Sequence, residues 1–234
     1  MDEQPRPRPE LRAALQNALA ADRESFRAAV DRLAIEHGFD AVGLETTPEA
    51  FDPPACLGTL TAPERRLVWR ARTLEEAPLG VVLTGAAYHD NPLLYANRAT
   101  RRLMGYTLAE LRGDNLRRLQ GPRTDAATVA RLREALRGWS SVTVEVCNYR
   151  ADGTRFVNRV SLVPVPDENG TVEHWFGLQS AVPDERWPSS SDRFVADGPY
   201  PRPSRMQVAE SGHRSVNSVV CRTAGGTASR SMVS

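Results

Sequence analysis

The sequence predicts an α+β protein built on one five-stranded antiparallel sheet, with helices covering one face of that sheet. Between residues 79 and 182 two short apolar strands come first, a helical middle follows, and three longer strands close the segment. Two turn signals, Asp152-Gly153 and Asn169-Gly170, join the last three strands, and such pairs are typical of tight β-hairpins. The order of elements is therefore that of a single sheet ending in an antiparallel meander.

The composition excludes several classes of protein. The 234 residues carry a formal net charge of +1, so charge gives no argument for nucleic acid or an anionic membrane as partner. The three cysteines, Cys56, Cys147 and Cys221, stand far apart and form neither a disulfide framework nor a zinc motif. No apolar run has the length of a membrane span, and the N-terminus lacks a signal-peptide core. We expect a soluble, cytoplasmic protein.

An amphipathic helix is predicted from Pro9 to just before Gly38. Apolar residues spaced by three, four and seven positions define its stripe: Leu11, Leu15, Leu19, Phe26, Val30 and Leu33. One apolar stripe needs a partner, so this segment should pair with a second copy or pack on the domain that follows. Residues 1–60 are therefore assigned to an N-terminal helical extension, of which residues 38–60 form a partly ordered connection.

A second helix leads into the sheet. Thr61 and Glu64 have the spacing of a capping box, the helix runs to about Glu76, and Pro78-Leu79-Gly80 ends it. Residues 61–78 thus form the lead-in to a domain over residues 79–182.

The elements of that domain are delimited by turn and capping residues. Strands are expected over residues 81–84 and 93–96, across the turn Asp90-Asn91-Pro92. Thr107 and Glu110 begin a short helix, and Thr124-Asp125 caps another that Gly138 ends. The last three strands span residues 141–149, 155–165 and 172–181. Residues 183–234 are rich in Ser, Pro, Gly, Arg and Thr without periodicity, which predicts a disordered tail.

Polar side chains that could read a ligand are concentrated at a few positions. The stretch from Gly113 to Gly121 reads GDNLRRLQG and contains two amides and two guanidinium groups. Strand alternation aims three further amides, those of Asn148, Asn158 and Gln179, at the same apolar face. Buried amides require partners and could satisfy one another. Together with Asn115 and Gln120, however, three on adjacent strands favour a planar heterocycle, whose phosphate Arg117 and Arg133 could grip.

At these residues the chain resembles a known family. Residues 79–182 look like a LOV domain, the flavin-binding blue-light-sensing branch of the PAS fold, whose signature GRNCRFLQG is here GDNLRRLQG. Further matches follow at the family's spacing: Asn148-Tyr149-Arg150, Asp152-Gly153, Phe156-Val157-Asn158 and Gly177-Leu178-Gln179-Ser180.

The resemblance implies FMN as cofactor, with FAD or riboflavin as alternatives. The positions it assigns to the flavin site are Asn115, Leu116, Arg117, Gln120, Arg133, Asn148, Asn158, Val160 and Gln179. In the family Gln179 is the switch residue, which senses a change in flavin protonation and passes it to the outer face of the sheet.

The departures from the family pattern concern the chemistry. Leu116 stands where the photoactive cysteine is found, so the usual thioether adduct is excluded there. Cys147 alternates away from Asn148 and is expected to be a small hydrophobe on the other face. Arg118 and Thr100 each replace an aromatic residue of the family, a phenylalanine in the case of Arg118. Val160 replaces a bulkier residue, and Gly85 replaces an acidic one. The flavin pocket is therefore expected to be looser.

Two functions remain open on the sequence. The first is a light or redox sensor that works without a cysteinyl adduct, by flavin photoreduction with Trp175 or Tyr149 as electron donor and Gln179 as switch. The second is a PAS-type dimerisation or docking module that has lost photochemistry or flavin. Under both functions no enzyme activity is expected, and DNA binding is disfavoured because residues 45–52 are acidic. The N-terminal helices are expected to form a homodimer. The signal is expected to pass to an unknown downstream protein.

Overall fold

The computed structural model of the chain describes residues 9–85, 89–167 and 169–182. The helices are α1 (Pro9–Ala20), α2 (Arg23–His37), α3 (Ala62–Thr73), α4 (Arg98–Met104), α5 (Leu108–Leu111) and α6 (Ala126–Arg137), with 3-10 turns at Ala55–Leu57 and Leu116–Leu119. The strands are β1 (Gly80–Thr84), β2 (Leu93–Ala96), β3 (Val142–Tyr149), β4 (Arg155–Pro166) and β5 (Val172–Val182). The predictions for residues 1–8 and for the tail at 183–234 lie outside the described residues.

The five strands form one antiparallel sheet in the order β2-β1-β5-β4-β3. The predicted fold class is confirmed, and each expected strand is present within a residue or two of its predicted ends. β5 lies at the centre of the sheet, with Gln179 opposite Gly80 of β1 and Val160 of β4. The last strand of the sequence thus lies between the first and the fourth strands in the sheet.

Helix ends follow local capping chemistry. Thr61 and Glu64 form the predicted capping box of α3, and Thr107 and Glu110 form that of α5. Asp125 accepts a hydrogen bond from the backbone N–H of Thr128 and caps α6. Side-chain oxygens at these positions satisfy backbone donors that a helix start leaves unpaired.

The two faces of the sheet are covered by different helices. On one face a core formed with α1, α2 and α3 includes Val81, Leu83 and Leu178. On the opposite face Val82 packs with residues of the central helical region such as Met104 and Leu111. The central helices thus cover one face as predicted, and the N-terminal helices cover the other.

The N-terminal stripe is buried within the chain itself. All six residues of the predicted stripe are at most 4% exposed, and they join the core on the α1–α3 face of the sheet: Leu11, Leu15, Leu19, Phe26, Val30 and Leu33. Of the two alternatives for this face, packing on the following domain is the one found. A homodimer through the N-terminal helices stays a prediction and requires a surface other than this stripe.

The prediction of one continuous N-terminal helix is wrong, because the helix breaks at Ala21 and Asp22. The Asp22 carboxylate caps α2 by accepting from the N–H of Ser25 at 3.0 Å. The Arg70 guanidinium donates to the carbonyl oxygens of Leu19 (3.2 Å) and Ala21 (2.7 Å) at the end of α1. A local cap and a distant donor therefore stabilise two helices where periodicity alone indicates one.

Helix α4 was not predicted. It begins at Asn97, whose amide is fully buried and makes four hydrogen bonds. Its Oδ1 accepts from the N–H groups of Val81 (2.8 Å) and Thr100 (3.0 Å), and its Nδ2 donates to the carbonyls of Leu74 and Leu79 (both 2.9 Å). Asn97 thereby ties the end of α3 to β1 and to the start of α4. Nowhere in the described segments does a helix combine the length and apolar character needed to cross a bilayer.

Candidate functional site

Three buried amides form a diagonal row across β3, β4 and β5. The Asn158 amide nitrogen donates to Asn148 Oδ1 at 3.0 Å and to Gln179 Oε1 at 2.8 Å. Asn158 is paired with Val146 on β3 and with Ala181 on β5, so both amides it contacts are its diagonal neighbours. The side chains are 1–5% exposed. The convergence predicted from strand alternation is present in the structure.

This amide row has an acceptor without a donor. Within the described residues, Asn158 Oδ1 is buried and has no hydrogen-bond partner, although its nitrogen makes two bonds. A buried carbonyl left unpaired costs about 1–3 kcal/mol. A ligand that presents a donor to this oxygen removes that cost, as expected for a site that binds a heterocycle carrying N–H or O–H groups.

The surroundings of the amide row are apolar. Val144, Val146 and Phe156 lie on the same face and are 4–8% exposed, while Val160 is half-buried next to Gln179 in the sheet. A flat ring system with polar edges fits such a surface, because the ring faces contact hydrocarbon and the edges meet amides.

The segment Gly113–Gly121 crosses this face from one edge of the sheet to the other. At its start, the N–H of Gly113 donates to the Leu93 carbonyl on edge strand β2 at 2.9 Å. Near its end, the Asn148 amide on edge strand β3 donates to the Leu119 carbonyl at 3.3 Å. We refer to the region between this segment and the amide row as the candidate cleft, with the GDNLRRLQG residues on one side and the amide row on the other.

The last glycine of that segment is required by a close approach. A Cβ at Gly121 would lie 2.3 Å from the Tyr149 ring. The Tyr149 hydroxyl in turn accepts from the N–H of Arg123 at 3.1 Å. The segment is thus fastened against β3 by an aromatic ring packed on a residue without a side chain.

Asn115 and Leu116 occupy different positions in the cleft wall. The Asn115 side chain caps the 3-10 turn by accepting from the N–H of Arg117 at 2.8 Å, and its nitrogen donates to the Asp90 carbonyl. Leu116 is half-buried and packs against the core formed with α4 and α5. A leucine here supplies hydrocarbon contact and no nucleophile.

The remaining predicted contacts are exposed in this structure. Gln120 ends the 3-10 turn, and Arg117 forms an ion pair with Asp90. Arg133 lies on the exposed side of α6, in a shallow depression shared with Arg137. The grip of Arg117 and Arg133 on one phosphate stays a prediction.

The departures noted in the sequence have local explanations. Arg118 lies over the Tyr106 ring with its guanidinium carbon 4.4 Å from the ring centroid, and donates to the Glu110 carbonyl at 2.8 Å. Thr100 is fully buried and donates to the Val81 carbonyl at 3.2 Å, so it joins α4 to β1. Cys147 is half-buried, and its backbone carbonyl accepts from the Thr124 hydroxyl at 2.6 Å.

Trp175 is the aromatic residue on the amide face of β5. It is 1% exposed, its indole ring stacks on Trp139 at a centroid distance of 6.3 Å, and Trp139 is 48% exposed. Among the described residues its Nε1 also has no hydrogen-bond partner. The proposed electron-donor roles of Trp175 and Tyr149 stay predictions.

The roles of two buried residues, Asn97 and Arg12, were not predicted from the sequence. Asn97 had the signal of a helix cap before Arg98, but three of its four partners are distant in sequence. Arg12 lies three residues before Leu15 and seven before Leu19, hence on the buried side of α1, and its guanidinium contacts β4 and β5. Within the described segments, no group of His, Cys, Asp and Glu side chains has the arrangement of a metal site.

Comparison with known proteins identifies the segment that carries this cleft. The family model for PAS domains matches residues 78–179. The bacterioopsin transcriptional activator of Halobacterium salinarum is 39% identical over 119 residues, which cover 51% of this chain and 17% of that protein. Phototropin-1A of rice (Oryza sativa subsp. japonica) is 38% identical over 115 residues, which cover 49% of this chain and 12% of that protein. The chain thus matches less than a fifth of the length of either relative.

A solved structure is also similar to part of the chain. The light-state structure of the blue-light photoreceptor Aureochrome1 LOV is 37% identical and covers 46% of this chain and 84% of that one, with a TM-score of 0.44. Residues 78–179 therefore form a PAS domain, and this domain is similar to the LOV domains of blue-light receptors.

Proposed function

We propose that this chain is a flavin-binding sensor of light or redox state that acts without a cysteinyl adduct and signals to a partner protein. The observation that carries the proposal is the buried, unpartnered Asn158 Oδ1 within a row of three amides. A structural network of amides would pair this oxygen; a ligand site leaves it for the ligand. A bound flavin supplies visible-light absorption and reduction coupled to protonation of its ring.

The chain's own residues take defined parts in this proposal. Asn148, Asn158 and Gln179 read the polar edge of the ring, because each carboxamide offers a donor and an acceptor. Val144, Val146 and Phe156 hold the ring faces, and Leu116 closes the opposite wall. FMN is the proposed form, because Arg117 and Arg133 stand at exposed positions from which a phosphate can be reached.

Gln179 is the proposed switch. Its amide is 2% exposed and its Oε1 accepts from Asn158 at 2.8 Å, so rotation of the amide exchanges a donor for an acceptor inside the row. A ligand that gains a proton at the facing atom changes which orientation is preferred. The readout is therefore a hydrogen-bond rearrangement and requires no covalent bond.

The names of the relatives support light as an input. Aureochrome1 is described as a blue-light photoreceptor, and a transcriptional activator is among the matching proteins. We propose that this chain likewise acts as a sensor and not as an enzyme, and that it controls a separate protein. The identity of that protein is not specified by the cleft.

A second function is favoured by one specific observation. The amides of Asn148, Asn158 and Gln179 already contact one another, so the row has partners for most of its polar atoms without any ligand. On this reading the domain is a PAS-type docking or dimerisation module that no longer binds flavin.

One experiment separates the two functions. The full-length chain is purified, incubated with FMN, passed over a desalting column and examined by absorption spectroscopy in the dark and after blue illumination with a thiol reductant present. A sensor retains FMN and loses its oxidised-flavin band on illumination, with recovery in air. An Asn158→Ala chain should retain far less FMN, whereas an Asn17→Ala chain, altered at an exposed position on α1, should match the unmodified protein. A colourless protein would refute flavin binding and leave the docking module.

A further inference from the structure

Arg12 joins the N-terminal helix to the sheet from behind the amide row. Its guanidinium is 7% exposed and makes four hydrogen bonds. Nη1 donates to Ser161 Oγ (3.0 Å) and the Leu178 carbonyl (2.8 Å), and Nη2 donates to the Arg159 carbonyl (3.2 Å) and Ser180 Oγ (2.6 Å). Every one of these acceptors belongs to β4 or β5.

The four acceptors surround one residue pair of the sheet. Gln179 lies opposite Val160, and the pairs on either side of it are Leu178 with Ser161 and Ser180 with Arg159. Because side chains alternate along a strand, Gln179 points to the amide face while its neighbours point to α1. From the opposite face of the sheet, Arg12 therefore contacts the residues immediately before and after Gln179, through the backbone carbonyl of Leu178 and the side-chain hydroxyl of Ser180.

The charge of Arg12 makes this attachment sensitive to geometry. Desolvation and the nearby Arg159 lower the pKa of Arg12 to about 10, so the group remains cationic at neutral pH. The four bonds run to carbonyl and hydroxyl oxygens. A buried cation held by these four neutral oxygens depends on their placement, because hydrogen bonds weaken steeply when distances or angles change.

We propose that Arg12 is a positioning residue that couples the hydrogen-bonding state of Gln179 to the docking of α1 on the sheet. A rotation of the Gln179 amide shifts the β5 backbone that carries Leu178 and Ser180, and so alters the grip of Arg12 on the other face. The output is the release or retention of α1. This inference rests on the proposed function, because the flavin supplies the event that Gln179 senses.

The test measures amide hydrogen exchange of α1 peptides in the full chain loaded with FMN, either oxidised or reduced with dithionite. In the unmodified protein, reduction should accelerate α1 exchange about fivefold or more, the lower end of usual coupling between sites. The ratio of the α1 exchange rate in the reduced protein to that in the oxidised protein should fall to about one in Arg12→Met and in Gln179→Leu. This holds even if either substitution changes the exchange rate of the oxidised protein. Arg32→Met, at an exposed position on α2, is the matched control and should keep the full ratio. Ser180→Ala removes a single acceptor and should reduce the ratio, which keeps the test available if Arg12→Met does not fold.

The outcomes distinguish this inference from the function on which it rests. If absorbance shows complete flavin reduction while α1 exchange is unchanged in the unmodified protein, the coupling is refuted and the flavin sensor stands. A ratio that persists in Arg12→Met refutes the role of Arg12. If the protein does not retain FMN, the flavin sensor fails. In the protein without FMN, Gln179→Leu should still change the hydrogen-exchange rate of α1. The same substitution should have no effect on that rate when it is combined with Arg12→Met. Equal exchange in all of these variants refutes the coupling as well.

Discussion

Replacing a buried asparagine with alanine should affect stability differently at Asn97 and in the amide row. Asn97 and Asn158 are both almost fully buried, but Asn97 makes four hydrogen bonds through both of its polar atoms whereas the Asn158 carbonyl makes none in the described part of the chain. A fully paired buried amide stabilises the fold, while a half-paired one is retained for another purpose. We therefore compare Asn97→Ala with Asn158→Ala.

The magnitudes follow from the bonds in each case. Asn97→Ala removes four hydrogen bonds, at roughly 1 kcal/mol each, and should lower the free energy of unfolding by about 4 kcal/mol. Asn158→Ala removes two, for about 2 kcal/mol, but also removes the unpaired buried carbonyl that costs about 1–3 kcal/mol. Its net cost should be about 1 kcal/mol or less. FMN at a hundredfold excess over its dissociation constant adds about 2.7 kcal/mol to the unmodified protein, and Asn158→Ala should lose most of that gain.

Urea unfolding followed by circular dichroism measures both effects. With a denaturant slope of about 2 kcal/mol/M, the midpoint should fall by about 2 M in Asn97→Ala and by less than about 0.5 M in Asn158→Ala without flavin. Asn17→Ala, at an exposed helical position, controls for the loss of an amide as such. Equal losses at positions 97 and 158 would show that the amide row is a structural network and would contradict its assignment as a ligand site.

Three further predictions follow from single contacts. Leu116→Cys should make blue light attach FMN covalently to the chain, seen as loss of the oxidised-flavin band that recovers in the dark without air, whereas any band lost in Leu116→Ala should recover only when air is admitted; absence of the effect in Leu116→Cys would contradict the placement of position 116 beside the ring. Gly121→Ala should lower the free energy of unfolding by about 1–3 kcal/mol, because its Cβ would overlap the Tyr149 ring, and an unchanged urea midpoint would contradict that contact. Burial lowers the pKa of His174 below its ordinary value, so the folded state binds its proton less readily than the unfolded state and stability is lost as pH falls through about 6.5. Between pH 7.5 and 5.5, His174→Gln should therefore lose less stability than the unmodified protein or the exposed-site control His89→Gln, and equal pH dependence would be evidence against this role.

The sheet and the amide row could be predicted because their signals are local. Hairpin turns such as Asp152-Gly153 fix the register of neighbouring strands, and register with alternation fixes which side chains share a face. The amides at 148, 158 and 179 therefore converge as a consequence of three short sequence patterns. Capping boxes at Thr61 and Thr107 are local for the same reason.

The features that could not be predicted depend on partners distant in the chain. The break between α1 and α2 is stabilised by Arg70 of α3, and α4 begins at Asn97 because its amide finds the carbonyls of Leu74 and Leu79. The spacing of Arg12 to Leu15 and Leu19 places it on the buried side of α1, but only the position of β4 and β5 shows which carbonyl and hydroxyl oxygens it contacts. Hydrogen bonds of this kind become predictable only when the sheet topology is already known.

Reciprocity extends the coupling through Arg12 to the flavin itself. If reduction weakens α1 docking fivefold, then freeing α1 must favour the reduced flavin by the same factor, because coupling between two equilibria is mutual. For a two-electron couple a fivefold change corresponds to about 20 mV. Arg12→Met should therefore raise the midpoint potential of bound FMN by up to about 20 mV, and Arg32→Met should leave it unchanged. Arg12 lies across the sheet from the amide row, so a shift specific to Arg12→Met is not expected from direct contact with the ligand. Identical potentials in the two variants would mean that β5 does not transmit the state of Gln179 to α1.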